Sequence, residues 1–226
     1  MALFAGVLIL LVGFGVIFGV ITSSMGVAGR PDATFWRLLT GLLSLQIPAI
    51  ALTHGFLFVH DKGWRDGFGI QWSTDAWKFG IGIAVAAVAI GYPIEFATFE
   101  ILRRFGEAPE PQAAVRFLVE APGWQRTIIG FLAIVPAAIA EEILFRGILY
   151  PVGRDLGHPR LALLGTALLF GAIHFHGPAF IPLTILGAGL AWGYARTGNL
   201  LTAFIAHGTY NAIGFAVAIS GLGSKI

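Results

Sequence analysis

Two adjacent glutamates and an arginine interrupt a long apolar segment in the middle of the chain. Residues 127–140 carry no charge, Glu141, Glu142 and Arg146 follow, and the apolar residues 147–150 come next. If this whole segment is one membrane-spanning helix, Glu141 lies roughly 20 Å from one end and about 13 Å from the other. Each ionised group near the centre of such a helix costs about 2.5–3.5 kcal/mol on insertion, so these groups need partners.

The spacing of the three charged residues pairs two of them. Glu142 and Arg146 are four residues apart with the carboxylate first, which is the favourable orientation for an ion pair within one helix. Glu141 points about 100° away from Glu142 and has no such partner in its own helix. Neighbouring helices must therefore supply one. Pro136, five residues before Glu141, predicts a kink in the helix just before the glutamates.

The composition identifies an integral membrane protein. Of the 226 residues, 57% are hydrophobic and only 12% are charged, whereas soluble domains carry about 25% charged residues. The absence of cysteine excludes a disulfide framework, a thiolate metal site and a cysteine nucleophile. A formal net charge of +2 without a basic run predicts no nucleic-acid partner and no polybasic lipid-binding cluster.

The hydropathy pattern predicts an all-α, polytopic membrane helical bundle of about seven or eight transmembrane helices. The N-terminal stretch 2–29 lacks the basic start of a signal peptide and is interpreted as a retained first span. A short interfacial helix with apolar positions 115, 118 and 119 on one side precedes the span that contains the glutamates. The predicted spans are approximately 2–29, 38–59, 79–98, 127–150, 160–175, 180–195 and 200–220.

Few polar side chains are placed to meet Glu141 inside the bilayer. His207 and Asn211 are four residues apart and share one face of the last span. His174 follows Phe170 by four residues near the end of the fifth span. Small residues in the sixth span, Gly187, Gly189 and Gly193, permit the close approach of helices that such a meeting requires.

Three motifs in separate spans carry a family resemblance. Glu-Glu-x-x-x-Arg at 141–146, Phe-x-x-x-His at 170–174 and His-x-x-x-Asn at 207–211 resemble the CPBP family of membrane-embedded endopeptidases. This family includes the CAAX prenyl proteases and bacterial relatives linked to bacteriocin processing and immunity. The resemblance implies one integral membrane domain over 1–226, with peripheral spans in residues 1–100 and a catalytic core at about 112–220.

The resemblance also implies a role for each motif residue. Glu141 would activate a water molecule with help from His174, and His207 and Asn211 would stabilise the oxyanion of the tetrahedral intermediate. Glu142 and Arg146 would hold the glutamate helix in place.

The same chemistry is consistent with the residues themselves. Amide hydrolysis needs a general base and preorganised donors at the carbonyl oxygen, and each donor removed costs about 2.7–4 kcal/mol. No cofactor is required by this interpretation. A zinc-dependent alternative would use Glu141, His174 and His207 as ligands with a fourth position for water, but the chain contains no His-Glu-x-x-His pair.

Two rival classes use the same residues differently. A proton-coupled transporter would relay protons through buried Glu and His, but it predicts two matching halves, and residues 1–100 hold no counterpart of the three motifs. A non-catalytic membrane scaffold or immunity protein would keep the fold without the reaction. The preferred interpretation is a multi-pass endopeptidase of the cell (plasma or inner) membrane that acts on a membrane-associated peptide or protein.

Overall fold

The computed structural model describes residues 33–107, 109–110 and 112–220, which form eight helices and no strand. The predicted first span at 2–29 lies outside these residues. The helices are α1 Ala33–Val59, α2 Trp64–Phe68, α3 Thr74–Arg104, α4 Ala113–Glu120, α5 Gly123–Asp155, α6 Pro159–Ala172, α7 Gly177–Thr197 and α8 Leu200–Ile219.

Five of these helices, α1, α3, α5, α7 and α8, are long and apolar enough to cross a membrane. The prediction of an all-α, polytopic membrane bundle is thus confirmed for the described part of the chain. The predicted fifth span corresponds to α6, which has only 14 residues and ends at Ala172 rather than at residue 175. It ends early because Phe175 adopts a positive φ of 48°, which is incompatible with a continuing helix.

Helix α5 changes its hydrogen-bonding period on both sides of the glutamates. Ala133–Ala137 and Ile143–Leu149 are π-helical and flank the α-helical turn Ala138–Glu142. Pro136 lies in the first π-helical turn, where it has no N–H to donate to the preceding turn. The predicted disturbance at Pro136 therefore takes the form of a π-helical turn, a feature often found at functional sites.

Side chains of two other helices reach carbonyl groups at this disturbed turn. Gln46 of α1 places Nε2 3.5 Å from Leu132 O, and Asn211 of α8 donates from Nδ2 to Ala133 O over 2.9 Å. Such donors stabilise backbone groups that have lost their partners inside a membrane helix.

Helix α7 packs closely against its neighbours through glycine. A Cβ atom at Gly187 would lie 3.1 Å from the Ala167 Cα of α6, and one at Gly193 would lie 2.6 Å from the Ile83 side chain of α3. The prediction that the small residues of this span permit close helix approach is therefore confirmed.

Helix α4 lies on the outside of the bundle next to α1 and α5. It buries Phe117 and Leu118 in a cluster with Phe35 of α1 and Ile129 of α5. The predicted short helix is present, but its face differs from the prediction. Positions 115 and 119 remain exposed, because positions 117 and 118 are the ones that pack against α1 and α5.

Candidate active site

The predicted site residues come from three parts of the bundle. Glu141, Glu142 and Arg146 lie on α5, His174 lies in the connection from α6 to α7, and His207 and Asn211 lie on α8.

A buried cluster of ionisable side chains joins α5 to α8. Glu142 and Arg146 are fully buried and His207 is 3% exposed. Arg146 Nη1 donates to Glu142 Oε1 over 2.8 Å, which confirms the predicted ion pair. His207 Nδ1 lies 2.8 Å from the same oxygen. Because a carboxylate oxygen only accepts, this nitrogen carries the hydrogen of the bond.

The arginine also ties the cluster to α7. Arg146 Nη2 donates to Gly187 O over 2.8 Å, and a Cβ atom at Gly187 would lie only 3.3 Å from this nitrogen. Glycine at this position therefore allows the guanidinium to reach the backbone of α7. The cluster fixes α5, α7 and α8 relative to one another.

Phe170 of α6 covers the cluster and contacts both site histidines. The Arg146 Cζ atom lies 4.7 Å from the centre of the Phe170 ring, an arrangement that favours a cation–π interaction. The Phe170 ring is 5.4 Å from the His207 ring and 4.9 Å from the His174 ring. Phe170, the first residue of the Phe-x-x-x-His motif, thus packs against the rings of both histidines.

Glu141 has a different environment from Glu142. Its side chain is 19% exposed, and its Oε2 atom is buried without a hydrogen-bond partner among the described residues. This oxygen lies 4.0 Å from His207 Nε2, within ion-pair range but too far for a hydrogen bond. Glu141 lines a small cavity of about 70 Å³ between α1 and α5, together with Gln46, Leu42 and Ala137.

The two remaining predicted residues have backbone partners. His174 is partly buried, and its Nδ1 lies 2.7 Å from Phe170 O, so this nitrogen donates and a neutral ring leaves Nε2 as an acceptor. No ion pair joins His174 to Glu141 in the described part of the chain. Asn211 uses one Nδ2 hydrogen for Ala133 O and keeps a second.

The residues of the zinc alternative do not form a ligand set in this conformation. Within residues 33–107, 109–110 and 112–220, no three His, Cys, Asp or Glu side chains are grouped to hold a metal ion. His207 Nδ1 is bonded to Glu142 and His174 Nδ1 to Phe170 O, so Nε2 of each ring would be the atom that binds a metal in this alternative. Activity of the purified protein after treatment with a chelator is the direct test of this alternative.

A larger groove of about 560 Å³ lies between α3 and α7 and includes none of the predicted site residues. Its lining is apolar except for Asp75 and Lys78. The candidate active site is therefore the small cavity at Glu141 and not this groove.

Two features of the site were missed at the level of the sequence. The contact of His207 with Glu142 was not predicted, because it depends on how α8 is rotated against α5. The second missed feature is Gln46. A polar amide inside a predicted membrane span is itself a signal of a functional residue, and the structure shows that this amide is buried.

Comparison with known protein families adds a finding that is independent of this geometry. Residues 123–213 match the family model described as type II CAAX prenyl endopeptidase, Rce1-like. The matched segment starts with α5 and contains all six predicted site residues. Searches of curated proteins and of solved structures returned no match.

Proposed function

We propose that this chain, whose residues 123–213 match the family model of type II CAAX prenyl endopeptidases, hydrolyses a peptide bond of a membrane-associated substrate at Glu141. The matched family is one of peptidases, which supports a peptidase over the transporter alternative. The alternative of a non-catalytic scaffold with the same fold is tested by the Glu141 variant below. The observation that carries the assignment to Glu141 is its environment. Glu141 and Glu142 both have an Oε2 atom without a hydrogen-bond partner in the described chain and both lie next to His207, but only Glu141 lines the cavity.

Glu141 acts as the general base in this proposal. A base must reach the proton that it removes, and the Oε2 atom of Glu141 is available for a water molecule in the cavity. His174 assists, because its Nε2 is an acceptor when Nδ1 donates to Phe170 O. Glu141 later returns the proton to the leaving amine.

His207 and Asn211 stabilise the oxyanion. Glu142 accepts a hydrogen bond from His207 Nδ1, which fixes the orientation of the ring. The other ring nitrogen, Nε2, lies 4.0 Å from Glu141 Oε2 and is the atom that donates to the oxyanion in this proposal. Asn211 adds its second amide hydrogen. A buried donor of this kind contributes about 2.7–4 kcal/mol to transition-state stabilisation.

The substrate follows from the position of the site in a multi-pass membrane protein. Glu141 lies within α5, one of the five helices that are long and apolar enough to cross a membrane. A peptide must therefore reach the site from the membrane or its surface, which favours a substrate that is itself anchored there. We place the protein in the cell (plasma or inner) membrane.

Substitution of Glu141 tests the proposal. We expect Glu141→Gln to lower the rate of peptide cleavage by about 10²–10⁴-fold, the usual contribution of a general base. The assay uses the purified protein in liposomes and quenched fluorescent peptides that end in a CAAX sequence, with and without a farnesyl group. Thermal unfolding should be unchanged, because the Oε2 atom of Glu141 makes no hydrogen bond among the described residues.

Glu120→Gln is the matched control, because Glu120 is exposed at the end of α4. It should cleave at the wild-type rate. Wild-type cleavage by Glu141→Gln would show that Glu141 is not the base. Failure of the wild type to cleave any of these peptides would refute the CAAX-type substrate class.

A further inference from the structure

Helix α1 lies outside the segment that matches the family and yet forms one wall of the Glu141 cavity. Ala49 of α1 and Ala140 of α5 are both 1% exposed and pack together, which brings α1 against the turn that carries the glutamates. One turn of α1 earlier, Gln46 faces the cavity with only 3% of its surface exposed. A buried amide in a membrane span is costly unless its polar atoms have partners.

The amide of Gln46 is only half satisfied. Its Nε2 lies 3.5 Å from Leu132 O. Because a carbonyl oxygen only accepts hydrogen bonds, the amide nitrogen and not the amide oxygen must be on the side of Leu132. Its Oε1 atom is buried and has no hydrogen-bond partner in the described part of the chain. Glu141 Oε2 is a second buried acceptor without a partner, and both residues line the same cavity.

Two buried acceptors that face one cavity indicate a site for a donor with two hydrogens. The cavity of about 70 Å³ is large enough for water. In the liquid, one water molecule occupies about 30 Å³. A water molecule between Glu141 and Gln46 can donate one hydrogen to each.

We infer that Gln46 is a positioning residue that holds the attacking water molecule against Glu141. This inference rests on the proposed function. The water oxygen forms a bond to the carbonyl carbon while the π electrons of the C=O bond move onto the carbonyl oxygen. One proton of the water passes to Glu141, and the other stays on the water oxygen as a hydrogen-bond donor to Gln46 Oε1. The C=O bond then re-forms as the carbon–nitrogen bond breaks, the proton on Glu141 moves to the leaving amine, and the second hydrogen remains in the new carboxyl group.

A purely structural role for Gln46 predicts a different experimental result. If Gln46 served only Leu132 O near Pro136, its loss would lower stability and leave the turnover of folded protein unchanged. If it orients the water, its loss lowers kcat and leaves KM unchanged, because the substrate does not contact it in the ground state.

The first test is the nearly isosteric Gln46→Met variant, measured in the liposome cleavage assay beside Glu141→Gln. We expect kcat to fall about tenfold, the loss of roughly one hydrogen bond, with KM within about twofold of the wild type. Thr53→Val is the matched control, because Thr53 is also buried on α1 with an unpartnered Oγ1 in the described chain but does not line the cavity. It should keep the wild-type kcat.

The second variant, Gln46→Glu, keeps an oxygen at the cavity if Gln46→Met fails to fold. Two carboxyls that face one water share a proton, so the acid limb of the pH–rate profile should move to higher pH. His207 of α8 and Glu142 and Arg146 of α5, the other ionisable groups around Glu141, are unchanged in this variant.

The outcomes separate the inference from the proposed function. An inactive Glu141→Gln together with wild-type kcat in Gln46→Met, or an unmoved pH profile in Gln46→Glu, overturns the role of Gln46 alone. An active Glu141→Gln overturns the proposed function itself. A selective loss of kcat in Gln46→Met, with Glu141→Gln inactive and Thr53→Val normal, supports both.

Discussion

Glu142 is fully buried and its Oε1 atom is shared between an arginine and a histidine, whereas its neighbour Glu141 is 19% exposed and lines a cavity. The Oε2 atoms of both residues have no hydrogen-bond partner in the described chain. The two carboxylates differ by about 100° around α5, and this rotation alone directs one into the bundle and the other toward the cavity at α1. The comparison shows how one helix supplies both a structural and a reactive carboxylate. The buried one holds the helices together, and the other is left available for water.

The largest expected effect comes from removing the counter-charge of the structural carboxylate. Arg146→Met replaces the guanidinium with an apolar side chain that still packs beside Phe170. Glu142 then keeps only His207 as its partner. Breaking a buried pair on one side costs about 3–5 kcal/mol, and we expect this loss in the free energy of unfolding in detergent micelles.

The double variant Glu142→Leu with Arg146→Met controls for packing. Apolar replacement of both members of a buried pair is often nearly neutral, so most of the stability should return in the double variant. If Arg146→Met were as stable as the wild type, the ion pair of Glu142 would not stabilise the bundle, and Glu142 would not differ from Glu141 in having a structural role.

The difference between the two glutamates could be predicted from the sequence only in part. The pairing of Glu142 with Arg146 is local, because residues four apart in a helix always share a face. The hydrogen bond from His207 to Glu142 spans 65 residues and depends on the rotation of α8, which hydropathy does not determine. The sequence therefore predicted the ion pair and not its third member.

The fold shows the same limit. The described spans were predictable because runs of about 20 apolar residues have few alternatives in a membrane. The early end of α6 could not be predicted, because the apolar pattern continues as far as Phe175. The helix nevertheless ends before Phe175, whose backbone adopts a positive φ. The orientation of Gln46 toward the Glu141 cavity could not be predicted either, because the sequence of an almost uniformly apolar helix does not indicate which of its sides packs against a neighbour.

A smaller effect on stability, with an added effect on activity, is expected for Glu142→Gln. The amide keeps an acceptor for Arg146 or His207 but removes the negative charge, which weakens each of the two charge-assisted hydrogen bonds by about 1 kcal/mol. Cleavage should fall as well, because His207 loses the carboxylate that fixes its ring. The measurements are thermal unfolding followed by tryptophan fluorescence and the liposome cleavage assay.

Glu141→Gln is the matched variant for this test, since it changes the neighbouring carboxylate in the same way. It should unfold like the wild type and be inactive, whereas Glu142→Gln should be less stable. A stable and fully inactive Glu142→Gln would exchange the roles of the two residues and make Glu142 the base.

The smallest effect is expected at an ion pair that lies outside the buried cluster. Glu100 and Arg103 at the end of α3 are 2.9 Å apart, almost the same distance as Glu142 and Arg146, but the Arg103 side chain is 74% exposed. Exposed pairs contribute about 0–1 kcal/mol, because water already stabilises both charges. Glu100→Gln should therefore change the free energy of unfolding by less than about 0.5 kcal/mol and leave cleavage unchanged. A loss as large as that of Glu142→Gln would show that distance, rather than burial, determines the contribution of ion pairs in this bundle.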